Sequence, residues 1–351
     1  GLVHPERYAR TSGLFLVQPF RENKIPVVFV HGLLSSPATW VEATNALRAD
    51  PILRDHYQLL YFKYPTGFPV VYSAAHLRKS LRDFQEQFDP GRRNPAMRRM
   101  IIVGHSMGGL LSSLQIRDSG DIILNKFFTR PISEIDTLSA DQRKTILKLV
   151  RFESNPDIER AVFLCSPHRG SEIAESFYGR LAIRMMKFPF DVFDLTLSGV
   201  EDLATARPKE RIAEIDGLTE LGRTIATARP DGIKSLKPHD PFLATVLNLP
   251  ISDRVTYYSI LGRNDPGAPL EESTDGVVPY WSSHLKGAAT EKVIDSGHSS
   301  TAKHEAIEEI RRILYLHLGK PAPPALSWPA AKNPSRSPGT RKFLRGRGPH
   351  R

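Results

Sequence analysis

Short apolar runs alternate along the chain with longer stretches in which apolar residues recur at helical spacing. The runs predict β-strands over residues 14–17, 25–30, 58–62, 100–103, 160–164, 255–261 and 291–295. The longer stretches predict helices over residues 38–48, 73–88, 110–117 and 302–318. Strands that alternate with helices in this way are typical of a mostly parallel sheet with helices on both faces.

A G-x-S-x-G sequence follows one of these predicted strands. Residues 104–109 read GHSMGG and lie between the strand over 100–103 and the helix over 110–117. A strand-to-helix turn of this kind exposes the serine hydroxyl, and its glycines allow the sharp bend. Ser106 is therefore the candidate nucleophile. The alternative is a glycine-rich connection in which this serine makes only local hydrogen bonds.

A serine hydroxyl needs hydrogen-bond donors for the oxyanion that forms when it attacks a carbonyl. His31 and Gly32 directly follow the strand predicted over 25–30. In a hydrolase sheet this loop lies beside the nucleophile, and a glycine lets the backbone approach the substrate. We assign the two donors to the amides of Leu33 and Met107. An ordinary strand-to-helix connection is the alternative and is compatible with this role.

Two aspartates are candidates for the acid that orients the catalytic base. Asp265 lies closer to the end of the strand over 255–261 and precedes Pro266, a common turn position. Asp275 precedes Gly276 and a short apolar run, a setting that can hold a carboxylate at a sheet edge. Spacing alone does not choose between them.

The candidate base is a histidine near the carboxyl terminus of the predicted sheet. His298 follows the last predicted strand, at the edge where α/β sheets place ligand-facing groups. His304 falls in the first turns of the following helix, where a solvated or capping role is more common. The chain order serine, aspartate, histidine is that of the α/β-hydrolases.

Between about residues 13 and 318 the chain resembles bacterial lipases and carboxylesterases of the α/β-hydrolase fold. The resemblance rests on residues 30–32 (VHG), 104–109 (GHSMGG), 166–171 (SPHRGS), 274–283 (TDGVVPYWSS) and 297–299 (GHS). It implies an α/β-hydrolase fold in which Asp275, before Gly-Val-Val, is the triad acid. It also implies that His168 belongs to a structural loop. The additional aspartates of calcium-dependent lipases have no match here, so we expect no metal and no cofactor.

Residues 171–250 interrupt the strand and helix pattern with many apolar and aromatic residues, among them Phe188, Phe190 and Phe193. An insertion between two late strands would cover the active-site face. We expect a helical cap or lid in which these three phenylalanines contact an apolar acyl chain. The alternative is a helical subdomain with its own core that never opens. Residues 1–170 and 251–318 then form the hydrolase core.

Composition changes this picture mainly at the carboxyl terminus. The chain has 351 residues, a formal net charge of +10 and one cysteine, so no intramolecular disulfide can form. Residues 319–351 hold eight basic and no acidic residues and are rich in proline, which predicts a disordered tail. Such a tail could touch an anionic lipid surface, but a solvated tail without function is the favoured interpretation.

The remaining expectations concern location and partners. No apolar run reaches the roughly 18 residues of a membrane helix. The chain begins at Gly1 rather than at methionine, which is compatible with a processed or trimmed amino terminus and leaves open whether a signal segment was removed. A soluble protein that is secreted or periplasmic is the favoured interpretation. We expect a small or polymeric ester as the partner, with no nucleic acid and no obligate protein partner.

The sequence therefore predicts a serine hydrolase that cleaves apolar carboxylic esters or polyesters through an acyl-enzyme intermediate. Two alternatives stay open at this point. One is an acyltransferase, thioesterase or amidase on the same fold, and the other is a binding protein that has lost the chemistry.

Overall fold

A single seven-stranded sheet organises the computed structural model, which describes residues 11–171, 216–220, 222–223 and 241–326. The strands are β1 Gly13–Leu16, β2 Ile25–Val30, β3 Tyr57–Lys63, β4 Met100–His105, β5 Ile158–Leu164, β6 Thr256–Gly262 and β7 Glu291–Ile294. Their order in the sheet is β1-β3-β2-β4-β5-β6-β7. Strand β1 pairs antiparallel with β3, and all other neighbours pair parallel. The predicted mostly parallel sheet is confirmed, and every predicted strand end lies within two residues of the observed one.

Helices connect the parallel strands. Within the described residues the α-helices are α1 Val41–Ala49, α2 Pro51–His56, α3 Val70–Phe88, α4 Met107–Ser113, α5 Ile122–Phe127, α6 Ala140–Val150, α7 Pro241–Leu247, α8 Tyr280–Ser283 and α9 His304–His317. Single 3₁₀ turns occupy Pro37–Trp40, Met97–Arg99, Ile132–Glu134, Leu270–Glu272 and Ser300–Ala302. The prediction of a helix over 110–117 was wrong at both ends, because α4 begins directly after Ser106 and ends at Ser113. Beyond this helix, Arg117 forms an isolated β-bridge with Ile251.

The central strands β2 and β4 are buried on both faces of the sheet. All six residues of β2 are buried, and because a strand has a period of two, successive side chains enter different cores. Val28 and Val30 pack in a cluster with residues of α3, α4 and α6. Val27 and Phe29 pack in a second cluster with residues of α1 and α9. Burial on both faces explains why this strand reads as an unbroken apolar run.

The two segments expected to lie outside the core are described only in part. At the end of the predicted cap, Leu243, Val246 and Leu249 pack in the same cluster as one face of the sheet. At the start of the predicted tail, the Arg311 Nη1 atom donates to the Pro324 carbonyl oxygen at 3.1 Å. The chain around residue 324 thus lies against α9. Among the residues that the structure describes, no helix has the length and apolar character needed to cross a membrane.

Candidate active site

Four loops meet at the carboxyl edge of the sheet, where the parallel strands end. Ser106 follows β4 and Gly32 follows β2. Asp275 lies in the loop after β6, and His298 lies in the loop after β7. The sheet order places these four strands side by side with only β5 between them, which is why residues far apart in the sequence come together.

The turn at Ser106 is strained and tightly packed. Ser106 has a φ of 53° and a ψ of −126°, outside the regions that residues with a side chain ordinarily occupy. A Cβ atom at Gly108 would overlap the carbonyl oxygens of Val30 and His31, and one at Gly109 would overlap the Ser166 hydroxyl. The glycines of the GHSMGG sequence are therefore needed to seat α4 against its neighbours.

Ser106, His298 and Asp275 form a hydrogen-bonded relay. The His298 Nε2 atom lies 2.8 Å from the Ser106 Oγ atom, and His298 Nδ1 lies 2.8 Å from Asp275 Oδ2. The His298 side chain is 10% exposed and the Asp275 side chain 1%, so the relay is nearly closed to bulk water. An acceptor carboxylate at Nδ1 assigns the ring proton to that nitrogen. His298 Nε2 is then free to accept the Ser106 hydroxyl proton.

Asp275, and not Asp265, is the aspartate that reaches His298. Its other oxygen, Oδ1, accepts hydrogen bonds from the amides of Val277 at 2.9 Å and Val278 at 2.7 Å. Asp265 is exposed, and its Oδ1 atom accepts a hydrogen bond from the Gly267 amide at 2.9 Å. The structure therefore gives Asp265 the turn position that its place before proline suggested.

The loop that carries Asp275 comes close to the end of β6 at Gly262. A Cβ atom there would lie 2.8 Å from the Asp275 Cβ atom and 2.8 Å from the Ser296 carbonyl oxygen. The absence of a side chain at Gly262 thus lets the loop that carries Asp275 and the loop that leads to His298 both approach the strand.

Hydrogen bonds from residues 169–171 support the loop that carries Asp275 and the helix that follows it. The Arg169 amide donates to Ser282 Oγ at 3.1 Å, and the Arg169 guanidinium donates to the His284 carbonyl oxygen at 2.8 Å. The Ser171 hydroxyl donates to the Val277 carbonyl oxygen. Hydrogen bonds therefore join the SPHRGS segment to the TDGVVPYWSS segment, a contact that the sequence analysis did not predict.

His168 belongs to this supporting loop. It is buried edge-on against Phe163, with ring centroids 4.9 Å apart. Burial, together with the charges of Arg117 and Arg169, lowers the His168 pKa to about 3. A neutral ring in this position fits a structural role.

His105 holds the loop that carries the base, and the sequence analysis missed it. Its Nε2 atom donates to the His298 carbonyl oxygen at 2.8 Å. Burial and the nearby His298 lower the pKa of His105 to about 3, so the ring stays neutral at physiological pH. His105 thus positions the backbone of His298 without competing with it for a proton.

Cys165 directly follows β5 and is buried beside the relay. Its Sγ atom lies 3.1 Å from the Ser300 hydroxyl oxygen. Burial and the Asp275 charge raise the pKa of the Cys165 thiol far above its usual value. The thiol therefore stays protonated and is unsuited to act as a nucleophile.

The loop after β2 lies against Ser106. A Cβ atom at Gly32 would lie 2.9 Å from the Ser106 Cβ atom, so the backbone that leads to Leu33 passes directly beside Ser106. The Tyr64 hydroxyl donates to the His31 carbonyl oxygen at 2.8 Å and anchors this loop. Met107 is the first residue of α4, where amides have no acceptor within the helix. Gly32 therefore lies beside Ser106 and Met107 follows it in the chain, while the oxyanion role of the Leu33 and Met107 amides stays a prediction.

The three predicted acyl-chain contacts, Phe188, Phe190 and Phe193, lie outside the described residues. Their role stays a prediction.

Solved structures of similar shape include two bacterial lipases. The mature form of lipase BlEst2 from Bacillus licheniformis is 18% identical, with 87% of this chain and 97% of that chain covered and a TM-score of 0.47. Staphylococcus hyicus lipase is 14% identical, with 86% of this chain and 97% of that chain covered and a TM-score of 0.48. A search of curated proteins finds no match.

The family is established by the sequence. A model of the alpha/beta hydrolase family matches residues 27–310, well over half of the chain. The match spans the loops that carry Ser106, Asp275 and His298, and it confirms the fold class that the resemblance implied. The chain belongs to the alpha/beta hydrolase family.

Proposed function

We propose that this protein hydrolyses carboxylic esters through an acyl-enzyme intermediate on Ser106. The observation that carries the proposal is the relay of two 2.8 Å hydrogen bonds that joins Ser106, His298 and Asp275. A serine, a base and an orienting acid in this arrangement can activate a hydroxyl at neutral pH.

The first half of the reaction acylates the serine. Ser106 Oγ attacks the ester carbonyl carbon while His298 Nε2 takes the hydroxyl proton. Asp275 holds the Nδ1 proton in place and stabilises the imidazolium that forms, without itself becoming protonated. The imidazolium then gives its Nε2 proton to the departing alcohol, which leaves the acyl group on Ser106.

The second half releases the acid. Water attacks the acyl carbon, His298 takes a proton from it, and the same proton returns to Ser106 when the carboxylic acid departs. In both halves the carbonyl oxygen carries negative charge, which the Leu33 and Met107 amides would stabilise. Loss of a single donor of this kind typically costs roughly 10²–10³ in turnover.

We propose esters with apolar acyl chains, or apolar polyesters, as the substrate class. The support comes from the composition of residues 171–250, which include Phe188, Phe190 and Phe193. Each buried methylene of a ligand contributes roughly 0.8 kcal/mol, so contact with these rings should grow with acyl length. Polar substitutions there should raise KM more for twelve-carbon than for two-carbon p-nitrophenyl esters. A flat profile in folded protein would argue against this substrate class.

Ser106→Ala tests the proposed reaction. Loss of the nucleophile should reduce ester turnover by a factor on the order of 10⁶ while leaving the thermal unfolding transition in place. Phenylmethylsulfonyl fluoride should attach its phenylmethylsulfonyl group to Ser106 of the wild type, with loss of fluoride and the hydroxyl proton, but should not label this variant. Ser36→Ala is the matched control, because Ser36 is exposed at the same edge and its side chain makes no capping hydrogen bond. A Ser106→Ala variant that keeps a tenth of wild-type turnover would exclude this serine as the nucleophile.

A further inference from the structure

A large cleft opens at the edge of the sheet opposite the edge where the relay lies. It lies between α3, α6 and residues 151–156 and has a volume of about 980 Å³. Arg92, on its rim, precedes β4, and residues 151–156 precede β5. The cleft is therefore at the amino edge of these strands, whereas Ser106 is at the carboxyl edge.

The charge of the cleft is strongly positive. Seven of its lining residues are lysine or arginine, and three are aspartate or glutamate. Three of the seven cations form ion pairs with aspartates. The other four are Arg78, Arg82, Lys144 and Lys148, and no carboxylate within the described part of the chain forms an ion pair with them. Two lining carboxylates, Asp141 and Glu153, also form no ion pair within the described residues, so these six charged groups leave the cleft with an excess of two positive charges. A bound anion would balance that excess.

Arg78 is the most unusual of the four, because it is only 8% exposed. Its Nε and Nη1 atoms are buried without a hydrogen-bond partner in the described residues. The guanidinium carbon lies 4.1 Å from the centroid of the Phe152 ring, which packs against one face of the group. Burial and the nearby Arg82 lower the Arg78 pKa to about 9. A buried guanidinium with unmet donors is costly unless a ligand supplies acceptors.

We propose that this cleft binds the phosphate group of a phosphorylated small molecule, with Arg78 as the buried anchor and Arg82, Lys144 and Lys148 around it. A guanidinium donates two parallel hydrogen bonds to phosphate oxygens, and the lysines supply point charges. The excess of two positive charges that remains after Asp141 and Glu153 are counted matches a dianion such as a phosphate monoester. The volume of about 980 Å³ leaves room for an organic group attached to the phosphate.

The test is calorimetric titration of the full chain with inorganic phosphate and pyrophosphate at constant ionic strength, with acetate as the comparison anion. The double variant Arg82→Gln/Lys148→Gln should weaken phosphate binding at least about tenfold. Lys286→Gln/Lys292→Gln removes the same charge from exposed lysines outside the cleft and should change the phosphate Kd less than about twofold. Arg78→Gln should abolish saturable binding. If that variant does not fold, the two double variants decide the matter.

Two results would overturn the proposal. One is wild-type protein without saturable binding of phosphate or pyrophosphate, or of vesicles that contain phosphatidic acid. The other is equal weakening by the two double variants, which would assign binding to overall charge, including the basic residues of 327–351. Vesicle binding that only the cleft variant loses, in protein that ignores soluble phosphate, would support the cleft and identify a lipid headgroup as the phosphate source.

Discussion

Asp50 and Asp275 lie in turns of the same kind in different parts of the molecule. Both are buried. In each, Oδ1 accepts hydrogen bonds from the amides two and three residues later, at 3.0 and 3.2 Å for Asp50 and at 2.9 and 2.7 Å for Asp275. Each therefore fixes its own local backbone and leaves Oδ2 to face a partner from a distant part of the chain.

The two aspartates differ in the groups that contact their Oδ2 atoms. Asp50 Oδ2 receives hydrogen bonds at 2.9 Å from the Arg311 guanidinium and from the Tyr315 hydroxyl. Burial alone would raise the Asp50 pKa, but the Leu53 amide, the Tyr315 hydroxyl and Arg311 together lower it below its usual value. Arginine keeps its charge at every physiological pH, so this contact is static.

Asp275 instead faces an imidazole that can gain and lose a proton, and that imidazole reaches Ser106. A carboxylate in the same turn can therefore serve stability or chemistry, depending on whether its partner holds a fixed charge. Substitution of each aspartate by asparagine tests this difference.

The largest effect should come from Asp275→Asn. The substituted amide can still accept the backbone hydrogen bonds through its oxygen, but its NH₂ group would face His298 Nδ1 and favour the wrong ring tautomer. We expect kcat to fall by roughly 10⁴ with little change in thermal stability. Steady-state hydrolysis of a p-nitrophenyl ester, together with a thermal melt, measures both. Turnover within tenfold of wild type would place the acid elsewhere.

Asp50→Asn should have the opposite profile. Arg311 and Asp50 have side chains only 5% and 3% exposed, and the substitution leaves the buried arginine with Glu308, at 3.2 Å, as its remaining ion-pair partner. Breaking a buried pair from one side typically destabilises a protein by about 3–5 kcal/mol, while turnover per folded molecule should not change. Urea unfolding and active-site titration separate the two quantities.

The matched control for that variant is Asp55→Asn. Asp55 pairs with Arg54 at 3.9 Å, and its side chain is 69% exposed. Removing a charge from an exposed pair should change the free energy of unfolding by less than about 0.5 kcal/mol. If Asp50→Asn lowered turnover per folded molecule as strongly as Asp275→Asn does, the division between a structural and a reactive turn would be lost.

How far the sequence predicts this molecule depends on the range of the interactions involved. The central strands β2 and β4 were predictable because each is buried along its whole length and therefore has a largely continuous apolar sequence. The turn at Ser106 was predictable because its glycines are local. The choice between Asp265 and Asp275 was not predictable from spacing, since it depends on a loop that crosses β6 at Gly262, and only the family resemblance favoured Asp275.

Two of the supporting contacts between distant residues left no signal in the sequence. His105 and the carbonyl group that it holds are 193 residues apart, and Asp50 and Arg311 are 261 residues apart. Neither pair has a pattern that a reading along the chain can detect. Both become visible only when the sheet order brings their elements together.

The low pKa of Asp50 predicts how stability depends on pH. A carboxyl group whose pKa is lower in the folded than in the unfolded protein stabilises the fold above its unfolded value, which is ordinarily 3.8. That contribution is lost as the pH falls through the lower folded value. The difference in unfolding free energy between wild type and Asp50→Asn should therefore be constant from pH 7 to pH 5 and shrink below about pH 4. Urea denaturation across this range measures it, and a difference that grew on acidification would have the wrong sign.

The smallest effect should follow Asp265→Asn. This variant removes a third carboxylate that accepts a hydrogen bond from a nearby backbone amide, and it serves as an exposed control for Asp50 and Asp275. Asp265 accepts the Gly267 amide at 2.9 Å but is exposed and has no relay partner. An asparagine oxygen can accept the same hydrogen bond, so stability should change by less than about 0.5 kcal/mol and kcat by less than about twofold. The assay is the one used for Asp275→Asn, measured side by side on the same ester. If Asp265→Asn lowered kcat more than Asp275→Asn did, the acid would be on the exposed turn, and the buried turn at Asp275 would be as structural as the one at Asp50.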